Sequence, residues 1–234
     1  MNLLMIDTSG PACGVALLED GRLIYESVMV HRLTHSERLM PMVDTALRMT
    51  EREMGDIDVF GAVTGPGSFT GVRIGVSTVK GLAHACGKPV IGVDALEALA
   101  QNAPFFDGCV APVLDARAQQ VYTALFSGGE RIMEDRAMKL SELLDILAGR
   151  PERVMLTGDG MEVCRAAAKD ALGERVVFAP AGHQILRAGL AGALAFRRIT
   201  DGASLGDYLT LQPLYLRAPQ AERERAKREG RRIE

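Results

Sequence analysis

Two copies of one pattern run along the chain, and this internal duplication restricts the fold more than any other sequence feature. Residues 4–9 (LMIDTS) and 112–117 (PVLDAR) both read as an apolar strand that ends in an aspartate, and a second strand and a hairpin turn follow each. Further on, residues 62–67 (AVTGPG) match residues 155–160 (MLTGDG), where an apolar strand runs into a glycine loop. Because strands alternate with helical patterns over a long period, the repeat predicts two tandem α/β units rather than a solenoid.

The most distinctive segment is 65–75 (GPGSFTGVRIG). Its glycines allow positive φ angles and close backbone approach. An apolar run before it and a small-residue helical pattern after it predict a tight loop and a helix N-terminus, whose N–H groups could bind an anion. It lacks the Walker A lysine because Val72 follows Gly71, and a Rossmann fingerprint would need glycine at Thr70. The alternative is a strand-to-helix turn without a ligand.

This segment resembles the bacterial TsaB (YeaZ) family, the non-catalytic partner in making threonylcarbamoyladenosine on transfer RNA. Other parts of the chain resemble the family in the same order, namely residues 5–9 (MIDTS), His35, Ser36, Leu39 and Pro41, residues 89–93 (PVIGV) and residues 213–217 (PLYLR). Together with the repeat, the resemblance implies the duplicated α/β fold shared by actin, Hsp70 and sugar kinases, called the ASKHA fold.

Proline and glycine interrupt the pattern at residues 103–108, so we expect a unit boundary there. This gives an N-terminal actin-like unit (1–103) that carries the partner interface, a C-terminal actin-like unit (104–218) and a charged tail (219–234). The tail has six basic and four acidic side chains and is predicted to be solvated. The alternative is a direct RNA contact by its basic residues, which are Arg223, Arg225, Lys227, Arg228, Arg231 and Arg232.

Charge and cysteine usage limit the class of protein. The net charge is −3, which argues against a dedicated nucleic-acid reader, so any contact with tRNA is expected to be indirect or weak. The four cysteines are scattered without a C-x-x-C pair, as expected for free thiols in a reducing cytosol. No signal-peptide pattern or membrane-length apolar run is found, so we expect a cytoplasmic protein with no membrane partner.

Two helices of the first unit bear on function. In the first, Thr34 and Glu37 fit a capping box, and Pro41 predicts either a kink or a later start. Its apolar stripe is Leu39, Met40, Val43, Ala46 and Leu47, with Met42 and Met49 off the stripe. Methionines off a stripe are core gap-fillers or an adaptable surface for another subunit.

The second helix is predicted from Val72 to Cys86, ended by Gly87. Its core face would be Val72, Val76, Val79, Leu82, Ala83 and Cys86, and its small residues would allow close helix approach. TsaB-like proteins pair through these two helices. The resemblance therefore implies a partner interface in which Arg73 and Lys80 are polar rim contacts. The residues of this interface are Leu39, Met42, Met49, Gly71, Arg73, Gly75, Val76 and Lys80.

Asp7, Asp115 and Asp159 follow strands, where open α/β sheets place ligand groups. They are interpreted as structural turn carboxylates, with ligand binding as the alternative. In nucleotide-handling proteins of the actin-like group such turns bind magnesium or phosphate. We therefore keep a candidate phosphate site at Asp7, Thr8, Ser9, Gly65, Gly67 and Ser68. It would bind ATP or ADP with magnesium, either weakly or at a subunit interface. No other cofactor is expected.

The histidines do not predict a metal site. His31 and His35 have the spacing of two ligands on one helical face, but they lie at or before the predicted cap, so solvated or capping roles are favoured. The catalytic paralogue TsaD carries an H-x-E-G-H metal motif after a strand that resembles residues 89–93. Ala95 and Leu99 stand at the two histidine positions here, and neither side chain can bind a metal.

The sequence therefore favours a non-catalytic scaffold for threonylcarbamoyl transfer to adenosine 37 of tRNA, with no catalytic residues of its own. The resemblance implies a TsaD-like catalytic partner and a TsaE-like ATPase that the chain helps to recruit. A further option is a self-associating module, whose helix surface makes a homodimer when the partner is missing. The alternative is a stand-alone enzyme of the actin-like group, either a small-molecule kinase or a metallopeptidase.

Overall fold

The computed structural model describes residues 1–30 and 34–217. The first half forms one five-stranded sheet in the order β3-β2-β1-β4-β5, in which β1, β4 and β5 are parallel and β2 is antiparallel to its neighbours. Its elements are β1 (Asn2–Asp7), β2 (Ala12–Glu19), β3 (Arg22–Val30), α1 (His35–Met49), β4 (Val59–Gly65), α2 (Phe69–Cys86), β5 (Val90–Asp94) and α3 (Ala95–Ala100).

The second half repeats this topology, with a sheet in the order β10-β9-β6-β7-β8. Its elements are β6 (Cys109–Asp115), β7 (Gln120–Ser127), β8 (Glu130–Lys139), α4 (Leu140–Ala148), β9 (Val154–Thr157), α5 (Met161–Leu172), β10 (Val176–Phe178) and α6 (Ala188–Thr200). Single-turn 3₁₀ helices lie in the connections at Met54–Asp56, Gly173–Arg175 and Ala181–His183. The predicted duplication is confirmed, down to matching φ angles of 113° at Gly65 and 111° at Gly158.

Helices and sheets stack in layers. One face of the first sheet packs against α1 and α2, and one face of the second sheet packs against α4 and α5. The other two faces share a core with α3 and α6, which contains Leu3 and Leu18 from the first sheet and Val110 and Phe126 from the second. A single apolar layer therefore holds the two units together, since burying that surface is favourable.

The predicted division near residue 104 falls between the two sheets, but the packing does not follow it throughout. Helix α6 belongs to the second half of the sequence and packs on β1, β2 and β3 of the first sheet. Glycines permit this approach, because a Cβ at Gly192 would collide with the side chain of Leu18. The tail, 219–234, and its predicted RNA contacts lie outside the described residues, as does His31.

Helix α1 begins where the sequence predicts but is capped differently. The Thr34 side chain makes no bond to the helix backbone and instead donates to the Glu37 carboxylate at 2.9 Å, so the predicted capping box is wrong. The helix starts at His35 and continues through Pro41, so a later start is also wrong. Met42 is buried in the core and Met40 is exposed, because the helix turns residue 42 rather than residue 40 toward the sheet.

Helix α2 ends as predicted, with Gly87 in the left-handed conformation at a φ of 63°. It begins three residues before the predicted start, because the Ser68 hydroxyl accepts a 3.2 Å hydrogen bond from the N–H of Gly71 and caps the helix. Within the described ranges, no helix combines the length and apolarity that a membrane span requires.

Candidate functional site

The glycine-rich loop packs against the turn between β1 and β2. The N–H of Ser68 donates to the carbonyl of Ser9 at 2.7 Å, and the Thr8 hydroxyl donates to the carbonyl of Gly71 at 2.6 Å. A Cβ at Gly67 would collide with the Ser9 carbonyl, and one at Gly71 with the Thr8 carbonyl. Glycines are needed at these positions because two backbone segments touch. This contact agrees with the interpretation of the motif as a turn without a ligand.

Gly75 and Gly65 have related roles. A Cβ at Gly75 would press on the Thr8 hydroxyl, so Gly75 faces the first turn inside the chain and offers no surface for another helix. Gly65 has a positive φ, and a Cβ there would lie 2.7 Å from the carbonyl of Leu214. The site residues of the first turn and of the loop therefore do come together, but they are held by each other and by the C-terminal segment.

Asp7 is the buried centre of this arrangement. Its Oδ1 accepts hydrogen bonds from the Ser9 N–H at 2.8 Å and the Ser9 hydroxyl at 2.6 Å, while its Oδ2 is buried without a hydrogen-bond partner. Burial raises the pKa of Asp7 to about 6, although the bonds from Ser9 act to lower it. Nearby, the His35 ring Nε2 lies 3.0 Å from the carbonyl of Gly10, which fixes this histidine at the turn.

The second unit presents the equivalent turn. Asp115 ends β6 as Asp7 ends β1, and its Oδ1 accepts a 2.8 Å hydrogen bond from the N–H of Arg117. Asp159 stands at the repeat position of Pro66 and accepts a hydrogen bond from the N–H of Asp115 at 3.3 Å. Burial raises the pKa of Asp159. These bonds agree with the reading of Asp7, Asp115 and Asp159 as turn carboxylates.

A cleft of about 430 Å³ separates the two turns. Ser9, Gly67 and Ser68 line one side, and the lining from the second unit and the C-terminal segment includes Asp115, Arg117, Asp159, Tyr215 and Arg217. The two carboxylates match the two guanidinium groups in number, and the loop glycines already face the first turn. The cleft therefore offers little net positive charge to a nucleotide phosphate.

The predicted partner interface is divided by burial. Leu39, Met42 and Val76 are buried in the core beneath α1 and α2, and Gly71 and Gly75 pack on Thr8, so these five contribute no free surface in this chain. Met49 is 66% exposed at the end of α1. The burial of Met42 selects the gap-filler interpretation for it, whereas Met49 remains a candidate contact.

Arg73 and Lys80 leave the core face as predicted but have partners within the chain. The Arg73 guanidinium lies 3.8 Å from the centre of the Phe69 ring, and its Nε donates to the Tyr215 hydroxyl. Lys80 Nζ donates to the carbonyl of Leu211 at 3.2 Å. Sequence reasoning missed these contacts because residues 213–217 were singled out only as a family segment, with no spacing that pairs them to α2.

Helix α3 contains Ala95 and Leu99, the two positions to which the sequence resemblance assigns the TsaD histidines. Ala95 and Leu99 are fully buried in the layer between the sheets, and the Asp94 carboxylate caps the helix by accepting the N–H of Glu97 at 2.7 Å. Among residues 1–30 and 34–217, no three His, Cys, Asp or Glu side chains converge to hold a metal ion. The His183 ring contacts the carbonyl of Asn102, and the His84 ring packs at a tilt against Tyr208, so both histidines make structural contacts.

Two sequence comparisons bear on the family of this chain. A family model described as TsaD, tRNA N6-adenosine threonylcarbamoyltransferase, matches residues 30–222. The chain is 34% identical over 226 residues to the Bacillus subtilis "tRNA threonylcarbamoyladenosine biosynthesis protein TsaB", covering 95% of this chain and 96% of that protein.

Solved structures give the same result. YeaZ from Pseudomonas aeruginosa superposes with a TM-score of 0.77 at 29% identity, covering 92% of this chain and 99% of that one. Component A of the Acidaminococcus fermentans (R)-2-hydroxyglutaryl-CoA dehydratase shares the fold alone, with a TM-score of 0.53 at 14% identity over 86% of this chain and 99% of that one. The predicted duplicated α/β fold of the actin-like type is confirmed, and the chain belongs to the TsaB (YeaZ) family.

Proposed function

We propose that this chain is a non-catalytic scaffold subunit required for threonylcarbamoyl transfer to adenosine 37 of tRNA. The observation that carries the proposal is the burial of Ala95 and Leu99 in α3, where the resembling catalytic paralogue has its metal-binding histidines. Restoring imidazoles at two fully buried positions would require repacking of the layer between the sheets. In the proposed scaffold, apolar core residues therefore occupy the positions at which the catalytic paralogue binds its metal.

The partner of this scaffold is a TsaD-like catalytic subunit, and its binding surface lies on the outer sides of α1 and α2. Met40 and Met49 are exposed on α1. On α2, Ser77, Gly81 and Ala85 recur every fourth residue and are exposed. We call these five residues the α1–α2 surface. Small side chains let another helix approach closely, and methionines adapt to a partner, so this surface suits a helical partner.

The same proposal includes a TsaE-like ATPase that the assembled pair helps to recruit, and a homodimer through the α1–α2 surface when the catalytic partner is missing. A C2 dimer would use one patch twice. Contact of this chain with tRNA is indirect or weak, because the net charge of −3 opposes binding to a phosphate backbone.

Reconstitution with and without this chain tests the proposal. Transfer of threonylcarbamoyl to tRNA should require the complete set of proteins, and this chain alone should transfer none. Full transfer by the TsaD-like and TsaE-like components without this chain would reject the scaffold role. Sedimentation with and without the TsaD-like protein should show a homodimer replaced by a heteromeric complex.

The cleft supports a second, weaker candidate, a small-molecule kinase of the actin-like group. Its volume of about 430 Å³ is within the range of ligand pockets. Calorimetry of the isolated chain with ATP and magnesium separates the two functions. Weak or absent binding agrees with the scaffold, whereas tight binding followed by ATP turnover would establish the kinase.

A further inference from the structure

A group of charged side chains joins the two units at the edge strands β5 and β8. Arg131 on β8 places Nη2 3.1 Å from Oδ1 of Asp94 and 3.5 Å from Oε2 of Glu97, and its Nη1 pairs with Asp135 on the same strand. Arg198 of α6 pairs with Glu97. We call these five residues the junction cluster. Arg131 and Asp135 act directly on Asp94, Glu97 contacts Arg131, and Arg198 contacts Glu97.

The charges of the junction cluster do not balance. Three carboxylates face two guanidinium groups, and the side chains of Asp94 and Asp135 are each only 13% exposed. A buried excess negative charge is costly, because a medium of low polarity disfavours an ion without a counterion. A bound proton would remove the excess.

The hydrogen bonds show where that proton would sit. Oδ1 of Asp94 accepts from the N–H of Glu97 and from Arg131, whereas Oδ2 is buried without a hydrogen-bond donor. A single guanidinium, that of Arg131, pairs with both Asp94 and Asp135 and so holds the two carboxyl groups near each other. Two ionised carboxylates are both acceptors, so a bond between them requires a proton on one oxygen.

We propose that Asp94 carries this proton in the closed junction, donates it to Asp135, and releases it to solvent when β8 separates from α3 and α6. The junction cluster is then a pH-sensitive latch between the two units. Burial, together with the hydrogen bond and the negative charge of Asp135, raises the pKa of Asp94 to about 7 from an ordinary value of 3.8. Opening restores the ordinary pKa, so opening releases a proton between about pH 4 and pH 7 and becomes more favourable as the pH rises through that window.

Hydrogen exchange of the full chain tests the latch. After correction for intrinsic exchange rates, amides of β8 in the natural protein should open more readily at pH 7.5 than at pH 5.5, by on the order of tenfold. Asp94→Asn should abolish this difference, because the asparagine amide donates to Asp135 through an N–H that does not titrate. Its oxygen still accepts from the N–H of Glu97. Asp135→Asn should act alike, and serves if the first variant is unstable.

The matched control is Asp7→Asn, which removes another buried carboxyl far from β8 in sequence and outside the junction cluster. It should keep the pH dependence of exchange through local opening of β8, while the pH dependence of global unfolding changes. A carboxyl-carbon NMR titration of the folded natural protein gives a direct check, with a midpoint for Asp94 expected near neutral pH. A midpoint below pH 5, or β8 exchange that changes equally with pH in Asp94→Asn and the natural protein, would overturn the latch.

Discussion

Nε of Arg73 donates a 2.7 Å hydrogen bond to the hydroxyl of Tyr215, although the two residues are 142 positions apart. The Tyr215 ring also lies 5.0 Å from the ring of Phe69. Through these contacts residues 211–217, which we call the C-terminal strap, are held against α2. The strap continues to the second unit, where Arg217 donates to the carbonyl of Ala116 at 3.2 Å.

Tyr215→Ala should loosen the C-terminal strap, because it removes a hydrogen bond and a ring contact together. We expect the free energy of unfolding to fall by about 1–2 kcal/mol. Tyr215→Phe keeps the ring and should lose less than Tyr215→Ala. Urea unfolding measures both, and Phe105→Ala, at a ring that is 97% exposed, is the control and should have little effect. Equal losses for Phe105 and Tyr215 would show that the strap contacts do not stabilise the fold.

The sequence marked residues 213–217 only as a segment that resembles the family, and it did not predict that they lie against α2. The turn at Gly65 and the helix end at Gly87 follow from local sequence, because both have a positive φ, which favours glycine. The contact of Arg73 with Tyr215 depends on how distant segments meet, which no periodicity encodes. Likewise, α1 carries methionines at positions 40 and 42, and only the packed sheet decides that Met42 faces inward.

The candidate site shows the same limit. The pattern of two aspartates at equivalent strand ends was readable, and the structure places Asp7 and Asp115 at the ends of β1 and β6. The glycines of the loop were equally compatible with phosphate binding and with backbone contact. In the structure the Ser9 and Thr8 carbonyls lie where Cβ atoms of Gly67 and Gly71 would be, which shows the backbone contact and leaves phosphate binding as a prediction.

Gly71→Ala should destabilise the protein, because its Cβ would collide with the rigid backbone carbonyl of Thr8. A cost of about 2 kcal/mol or more is expected, in the range of overpacking. Gly81→Ala lies in the same helix with open space around it and should instead stabilise by up to about 1 kcal/mol through helix propensity. Chemical unfolding of the two variants measures the contrast. Similar changes of the same sign would contradict the proposed contact between the loop and the first turn.

Asp7 should make stability fall as the pH rises from about 4 to about 6. Its folded pKa of about 6 exceeds the ordinary 3.8, so the folded state holds a proton that the unfolded state has released. Two pKa units correspond to about 3 kcal/mol, at order-of-magnitude precision. Unfolding free energies measured at pH 4, 5, 6 and 7 should show a shallower decline in Asp7→Asn. An unchanged profile in that variant would mean that Asp7 titrates normally in the folded protein.

Gly81→Gln tests the α1–α2 surface without disturbing the core. No atom lies within 4 Å of a Cβ at Gly81, and glutamine is a good helix former, so the variant should fold at least as stably as the natural protein. Its long side chain would nevertheless keep a partner helix from approaching α2 closely. We expect at least a tenfold loss of affinity for the TsaD-like subunit by calorimetry, and a matching loss of reconstituted tRNA modification. Ala166→Gln introduces the same side chain at an exposed position of α5 in the other unit and should leave both unchanged. Full binding by a folded Gly81→Gln variant would place the partner elsewhere on the chain. Variants of the buried Leu39 and Val76 cannot make this distinction, because replacing these residues would destabilise the core.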